Sequence, residues 1–199
     1  MSKGEDTRND IIRKAATLFN KRGFAGVSMS ELMAATGLKK GGLYNHFASK
    51  EEIMAEAFVY AFSRVTDELT RVIRNELSAH DKLKAVIEFY RNYSLQPTIE
   101  GGCPIVNSAV EADDANPHLR AKVKEAMQLV QSGLMNVIKR GQQRGEFRPE
   151  VDPEKAAVGI IAQIDGGIVI TRAFGENRYM DMVCDQLHRY VETELTLPG

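Results

Sequence analysis

Residues 24–50 read FAGVSMSELMAATGLKKGGLYNHFASK, and the fold is decided there. Two short runs of apolar residues at helical spacing, over 30–36 and 40–47, stand on either side of Gly37. Apolar residues three and four apart share one face of a helix. Ser28 precedes Glu31 by three residues, the spacing at which a hydroxyl and a carboxylate satisfy the free amides of a helix start. Ser49 and Glu52 repeat that spacing before a longer helical run. Glycine at 37 permits the left-handed backbone of a tight interhelical turn. Leu32, Leu38, Leu43 and Phe47 are spaced to share one small core. The pattern predicts a helix-turn-helix, whose second helix fits a duplex major groove about 12 Å wide. With the leucines inside, Lys39, Lys40, Tyr44, Asn45, His46 and Lys50 are left outside. Ammonium, hydroxyl and imidazole groups suit phosphate oxygens, and the Asn45 amide suits a base edge.

Charge supports a polyanion at this end. Residues 1–50 carry nine Lys and Arg against four Asp and Glu, five net positive. The remainder carries 17 against 23, six net negative, so the overall −1 hides a basic head on an acidic body. The chain has 199 residues, 43% hydrophobic and 27% charged, enough for one or two globular cores. Its 16 glycines and 6 prolines exclude a collagen-like or low-complexity chain. Two cysteines, Cys103 and Cys184, exclude a disulfide scaffold and suit a reducing cytosol, so a cytoplasmic protein is expected. No apolar run follows the N-terminus, so no secretory signal is expected. The longest weakly charged stretch, 156–171, contains Gln163 and Asp165 and reads as too short and too polar to span a bilayer, which takes about 20 apolar residues. No membrane partner is expected.

Outward from the quoted stretch the spacing stays helical, with no period-two alternation, so the chain reads as all-α. A helix over 7–22, with Ile12, Ala15, Ala16 and Phe19 on one face, precedes the pair and ends at Gly23. A long helix over 50–77 follows, its stripe being Met54, Phe58, Phe62, Val65, Leu69 and Val72. Further helices are expected over 81–95, from Pro104 to about 112, from Pro117 to about 141–145, over 153–175 and over 179–195. No proline lies in 1–96, and Asn116-Pro117 and Asp152-Pro153 have the form of cap-plus-first-turn pairs. This gives a DNA-binding domain over 1–50 and a larger helical domain over 51–199, joined by the helix at about 50–77.

Gly23-Phe24, Ser28, Gly37-Leu38, Gly41, Leu43-Tyr44, His46-Phe47 and Ser49-Lys50-Glu51, in this order, resemble the DNA-binding signature of TetR/AcrR-family regulators. The resemblance covers about residues 8–55. It implies a three-helix N-terminal head, a linking fourth helix, and a helical C-terminal domain for ligand binding and dimerisation. It also implies phosphate contacts by Tyr44, His46 and Lys50 and a backbone contact by Ser28. Two positions depart from the pattern. Lys39 replaces the usual small capping residue, and Gly42 stands in the recognition helix where Thr, Ser or Ala is common. The pair Gly41-Gly42 costs roughly 1 kcal/mol per glycine relative to alanine in a helix interior.

The expected function is therefore a homodimeric transcriptional regulator on a palindromic duplex operator, a repressor released by a small-molecule effector, with an activator of the same fold as the alternative. The helix over 153–175 is apolar on more faces than one small core covers, so dimerisation is expected through it and 179–195. Gly159, Gly166 and Gly167 would permit close approach, and a charge at Ile168 is expected to dissociate the dimer or unfold it. The expected effector pocket is bounded by Phe62, Tyr93, Asn107, Glu111 and Met127, with Cys103 and Asp165 as further polar candidates. Cys103, Asn107 and Glu111 are spaced to face one side of a helix. They either orient a ligand, here leaning toward a neutral or cationic aromatic compound, or bond neighbouring helices. Cys103 at a helix start could be a low-pKa redox thiol or a small buried residue. Glu111, Asp113, Asp114 and His118 could hold a hard metal or simply surround a helix break. The second reading favours no metal and no cofactor. No catalytic residue is assigned, because the chain shows no Ser/His/Asp order and no glycine-rich phosphate loop. A helical enzyme or carrier using Cys103 remains the alternative class.

Overall fold

The structure, a computed structural model, describes residues 3–23, 25–112 and 116–197. Phe24 of the signature, and Asp113 and Asp114 near His118, lie outside the described residues. The described residues are helical, without β-strands. They form two compact units, Met1–Thr66 with Thr98–Ala126, and Asp67–Pro97 with Met127–Gly199.

In the first unit α1 spans Lys3–Arg22 and buries Ile11, Ile12, Ala15, Ala16 and Phe19. It stops at Gly23, whose φ of 71° lets its N–H reach back to the Phe19 carbonyl at 2.8 Å. Next come α2, Met29–Thr36, and α3, Lys40–Tyr44. Gly37, in the left-handed region at φ 74°, closes α2 by donating to Met33 O. Leu32, Leu43 and Phe47 are buried as the spacing required, and Leu38 is half-buried. α3 is five residues long, shorter than the expected 40–47, though hydrogen-bonded turns carry the chain on to Phe47 through Leu43 O. Two glycines in its first turns favour an early end. α4 spans Lys50–Ile73 and stops short of the expected residue 77. Its start departs from a reciprocal box. Ser49 Oγ accepts from Glu52 N–H, but the Glu52 carboxylate reaches the N–H of Ala48, not of Ser49. α6, Pro104–Ala109, and the opening turns of α7, Pro117–Gln143, complete the unit. Asn116 caps α7 by accepting from Leu119 N–H at 3.1 Å.

The second unit holds α5, Ala79–Tyr93, the later turns of α7, α8, Pro153–Phe174, and α9, Arg178–Tyr190, which runs into a π turn over Val191–Leu195. Ser78 and Asp152 cap α5 and α8 through their side-chain oxygens. Phe147, fully buried, lies against Gly141 of α7, where a Cβ would come within 2.2 Å of the ring. Only glycine admits that approach.

α8 corrects two expectations. At 22 residues it is long and apolar enough to cross a membrane by length and composition, where the 156–171 stretch alone read as too short. One side of it is nevertheless buried, with Ala157, Ile160, Ile164 and Ile168 inside, and it packs on α9. Ile168 is 0% exposed, so a charge there attacks the protomer's own core and cannot report on dimerisation alone. Gly167 is likewise used within the chain, since a Cβ there would meet Met180 and Val183 of α9. Gly159 and Gly166 have open space beside them.

Candidate nucleic-acid interface

The helix-turn-helix is held by local bonds and presents its polar residues outward. Ser28 Oγ accepts from Glu31 N–H, and the Glu31 carboxylate accepts from both the N–H and the hydroxyl of Ser28 at 2.8 Å. Those bonds, the Ser28 N–H first, hold the Glu31 carboxyl below its ordinary pKa, and Arg22 pairs with it as well. Ser28 thus already has two roles before any duplex arrives. At the other end of the head, the Arg8 guanidinium lies 4.7 Å over the Phe47 ring and pairs with Glu56 at 3.4 Å. This ties α1 to the segment that follows α3, a link between distant residues that sequence spacing did not reveal.

The sequence-predicted contact residues fall together on the cap of α2, on α3 and at the start of α4. Ser28, Lys39, Lys40 and Asn45 are exposed, and Gly42, His46 and Lys50 are half-buried. Tyr44 is 39% exposed, with the Lys40 ammonium 5.9 Å from its ring centre. Lys39 and Lys40 make no ion pair among the described residues, so their charge is uncompensated. Lys39 occupies the N-cap of α3 and its side chain caps nothing. Lys39→Ser supplies that cap. It is expected to raise the unfolding free energy by about 1 kcal/mol while weakening duplex binding through the lost charge. Urea titration and duplex titration of the same variant check both signs.

The candidate effector residues divide between the units. Phe62, Cys103, Asn107 and Glu111 belong to the first, and Tyr93, Met127 and Asp165 to the second. Within the first, Asn107 is engaged by protein. Its amide nitrogen donates to the carbonyl and side-chain oxygens of Asn20 and to Gly101 O, all at 2.9–3.0 Å. Asn20 in turn donates to Glu100 O and Gly102 O, and Lys21 pairs with Glu100 at 2.8 Å. The Glu111 carboxylate lies against Gly23. Asn107 and Glu111, the polar line expected to meet a ligand, thus meet the C-terminal end of α1 instead. Cys103 is buried at the N-cap of α6. The cavity beside this region, lined by Phe19, Met54, Phe58 and Ser108 among others, has only about 10 Å³, room for no more than a water.

In the second unit, burial pushes Asp165 up to a pKa of about 6. Its folded pKa lies above the unfolded value of 3.8, so protonation favours the fold. That contribution is full below the unfolded value and is lost as pH rises through about 6. Asp165→Asn is expected to flatten this slope and raise stability at neutral pH, read by urea unfolding across pH 4.5–7.5. Cys184 is buried, and burial raises its thiol to about 11, which leaves it unreactive. Among the described residues no group of three or more His, Cys, Asp or Glu is placed to hold a metal.

Two short helices about a left-handed glycine, the second carrying uncompensated lysines, define a helix-turn-helix DNA-binding protein. Known proteins give the family. Residues 11–57 match the model described as bacterial regulatory proteins, tetR family. Residues 79–187 match the model of the tetracyclin repressor-like C-terminal domain. The chain belongs to the TetR family of transcriptional regulators. It is 36% identical to a TetR transcriptional regulator of Chloroflexus aurantiacus J-10-FL, with a TM-score of 0.94 and 100% of both chains covered. A TetR-family regulator of Cytophaga hutchinsonii is 33% identical with a TM-score of 0.93, covering 100% of this chain and 99% of that one. The transcriptional repressor DhaR of Mycobacterium sp. strain GP1 is 28% identical over 81% of this chain and 80% of its own.

Proposed function

We propose that the protein is a cytoplasmic, homodimeric repressor that binds a palindromic operator through residues 1–50. A small-molecule effector taken up by residues 51–199 releases it. The observation that carries this reading is the outward face of α3, where Lys39, Lys40, Tyr44 and Asn45 stand exposed beyond the Gly37 turn. Lys39, Lys40, Lys50, Tyr44 and His46 hold phosphates and set the register, with Ser28 and the Gly42 backbone close to the strand. Asn45 reads a base edge. DhaR, named a repressor, favours repression over activation. Asn20, which accepts from the Asn107 amide and donates to Gly102 O, supports a role for α6 and the turn before it in steadying α1. An effector lowers operator affinity only by binding the released conformation better.

Selection of duplexes from a random pool tests the reading. The expected consensus is palindromic, with half-sites one helical turn or a multiple apart, about 10–10.5 base pairs per turn. On that operator, Asn45→Ala is expected to change preference at one or two base positions, with each lost discrimination worth about 1–3 kcal/mol. Equal weakening on every single-base variant would remove Asn45 as a reader. Recovery of no duplex would remove the function itself.

A further inference from the structure

The second unit contains a groove of about 430 Å³, at the end of α4, the start of α5 and the later turns of α7. That volume lies in the usual range for small-molecule sites, about 300–1,000 Å³. Its wall carries four cations, Arg74, Lys82, Arg140 and Arg144, and no carboxylate. Ile73 and Val137 supply apolar surface between them, with Thr70 and Asn136 as neutral hydrogen-bonding groups.

This charge is gathered in one concavity. The unit as a whole has more acids than bases, and three of its other basic residues are paired with carboxylates. Arg91 pairs with Glu88, Asp181 and Asp185, Lys84 with Glu192, and Arg178 with Glu176. Arg74, Lys82 and Arg140 make no ion pair among the described residues. Arg144 donates to Leu77 O, and its nearest carboxylate is Glu146 at 4.0 Å. Glu146 is already committed, because its other oxygen accepts the N–H groups of Ala79 and His80 at the start of α5. Four like charges around one concavity repel one another, and an anion seated among them relieves that repulsion. Guanidinium forks match carboxylate and phosphate oxygens in pairs.

We propose that this groove is a binding site for a small oxyanion-bearing amphiphile. Its carboxylate or phosphate sits among Arg74, Lys82, Arg140 and Arg144, and its short apolar body lies on Ile73 and Val137. The site is separate from the residues expected to line an effector pocket, none of which borders it. Its occupancy can be read without DNA, so its failure is distinct from failure of the regulator reading.

Calorimetric titration of the full chain at low salt, with octanoate, octyl phosphate, octanol and inorganic phosphate, tests it. The two anionic amphiphiles are expected to bind saturably, one per chain. The tighter of them tells a carboxylate site from a phosphate site. Octanol and inorganic phosphate are each expected to bind at least tenfold more weakly than either. The double variant Arg74→Gln/Arg140→Gln changes two exposed side chains and is expected to weaken binding at least tenfold. Gly133→Leu leaves the charge alone and fills the groove, since a Cβ at Gly133 meets nothing within 4 Å. It is expected to weaken binding as much. Absence of saturable binding, equal affinity for octanol, or full affinity in both variants overturns the proposal. So does tenfold loss of non-operator duplex binding in the double variant without any small-anion binding, which would make this face a surface for nucleic acid.

Discussion

Replacing Lys39, Lys40 and Lys50 together by alanine is expected to weaken operator binding roughly 500-fold at 0.1 M salt while leaving the melting temperature nearly unchanged. Each lysine that neutralises a phosphate adds about −0.9 to the slope of log affinity against log salt, so the triple variant loses about 2.7 of that slope. At 0.1 M salt, one decade below 1 M, each contact is worth roughly eightfold and the three together roughly 500-fold. The fold is spared because Lys39 and Lys40 are exposed and neither makes an ion pair among the described residues, and because Lys50 stands at the first position of α4, where alanine is a good helix former. Filter binding or fluorescence anisotropy over 50–300 mM salt gives both the intercept and the slope. A slope equal to that of the wild type would mean that the basic head is solvated surface. A slope reduced by one or two contacts would say how many of the three lysines touch the strand.

What the sequence shows well is what is decided within a few residues. The box at Ser28 and Glu31, the left-handed Gly37 and the buried Leu32, Leu43 and Phe47 all follow from spacing, because caps and turns are local chemistry. So do the proline-led starts of α6, α7 and α8. Helix ends are less legible, since tertiary context decides where fraying begins. α3 and α6 are shorter than expected, and α4 gives way before the Ser78 cap of α5. Periodicity also gives a helix its faces without saying what covers each one. Ile168 fits an interface stripe as well as it fits a core, and the structure puts it in the core. The spacing put Asn107 and Glu111 on one helix face, but α6 ends at Ala109 and leaves Glu111 beyond it, and the groups they lie against, Asn20 and Gly23, are almost 90 residues away. The cations of the α4–α5–α7 groove come from three separate stretches, each unremarkable alone.

A glutamate at Val169 is expected to convert the dimer to folded monomers and with that to remove operator binding. After the core of α8 has been buried, the helix still exposes Val158, Val169, Ile170 and Phe174, and neighbouring α9 exposes Met182. Val169 is 52% exposed and Phe174 62%, and Gly159 and Gly166 leave open space for close approach by another helix. Exposed apolar side chains gathered on one helix and its neighbour mark an interaction site, and a self-complementary patch closes into a two-fold dimer. Val169→Glu puts a charge on that surface without touching the protomer's interior. A charge at Ile168 would be buried unpaired and would unfold the chain. Sedimentation velocity at micromolar concentration should show the wild type as a dimer and Val169→Glu as a monomer with native circular dichroism. Ile168→Glu should lose its helical signal. Loss of the dimer costs two-site binding its effective concentration, a factor of about 10²–10⁴ in affinity, so the folded monomer should retain only weak, salt-sensitive duplex binding. A wild-type chain that sediments as a monomer, or a Val169→Glu dimer as tight as the wild type, would move the interface off α8.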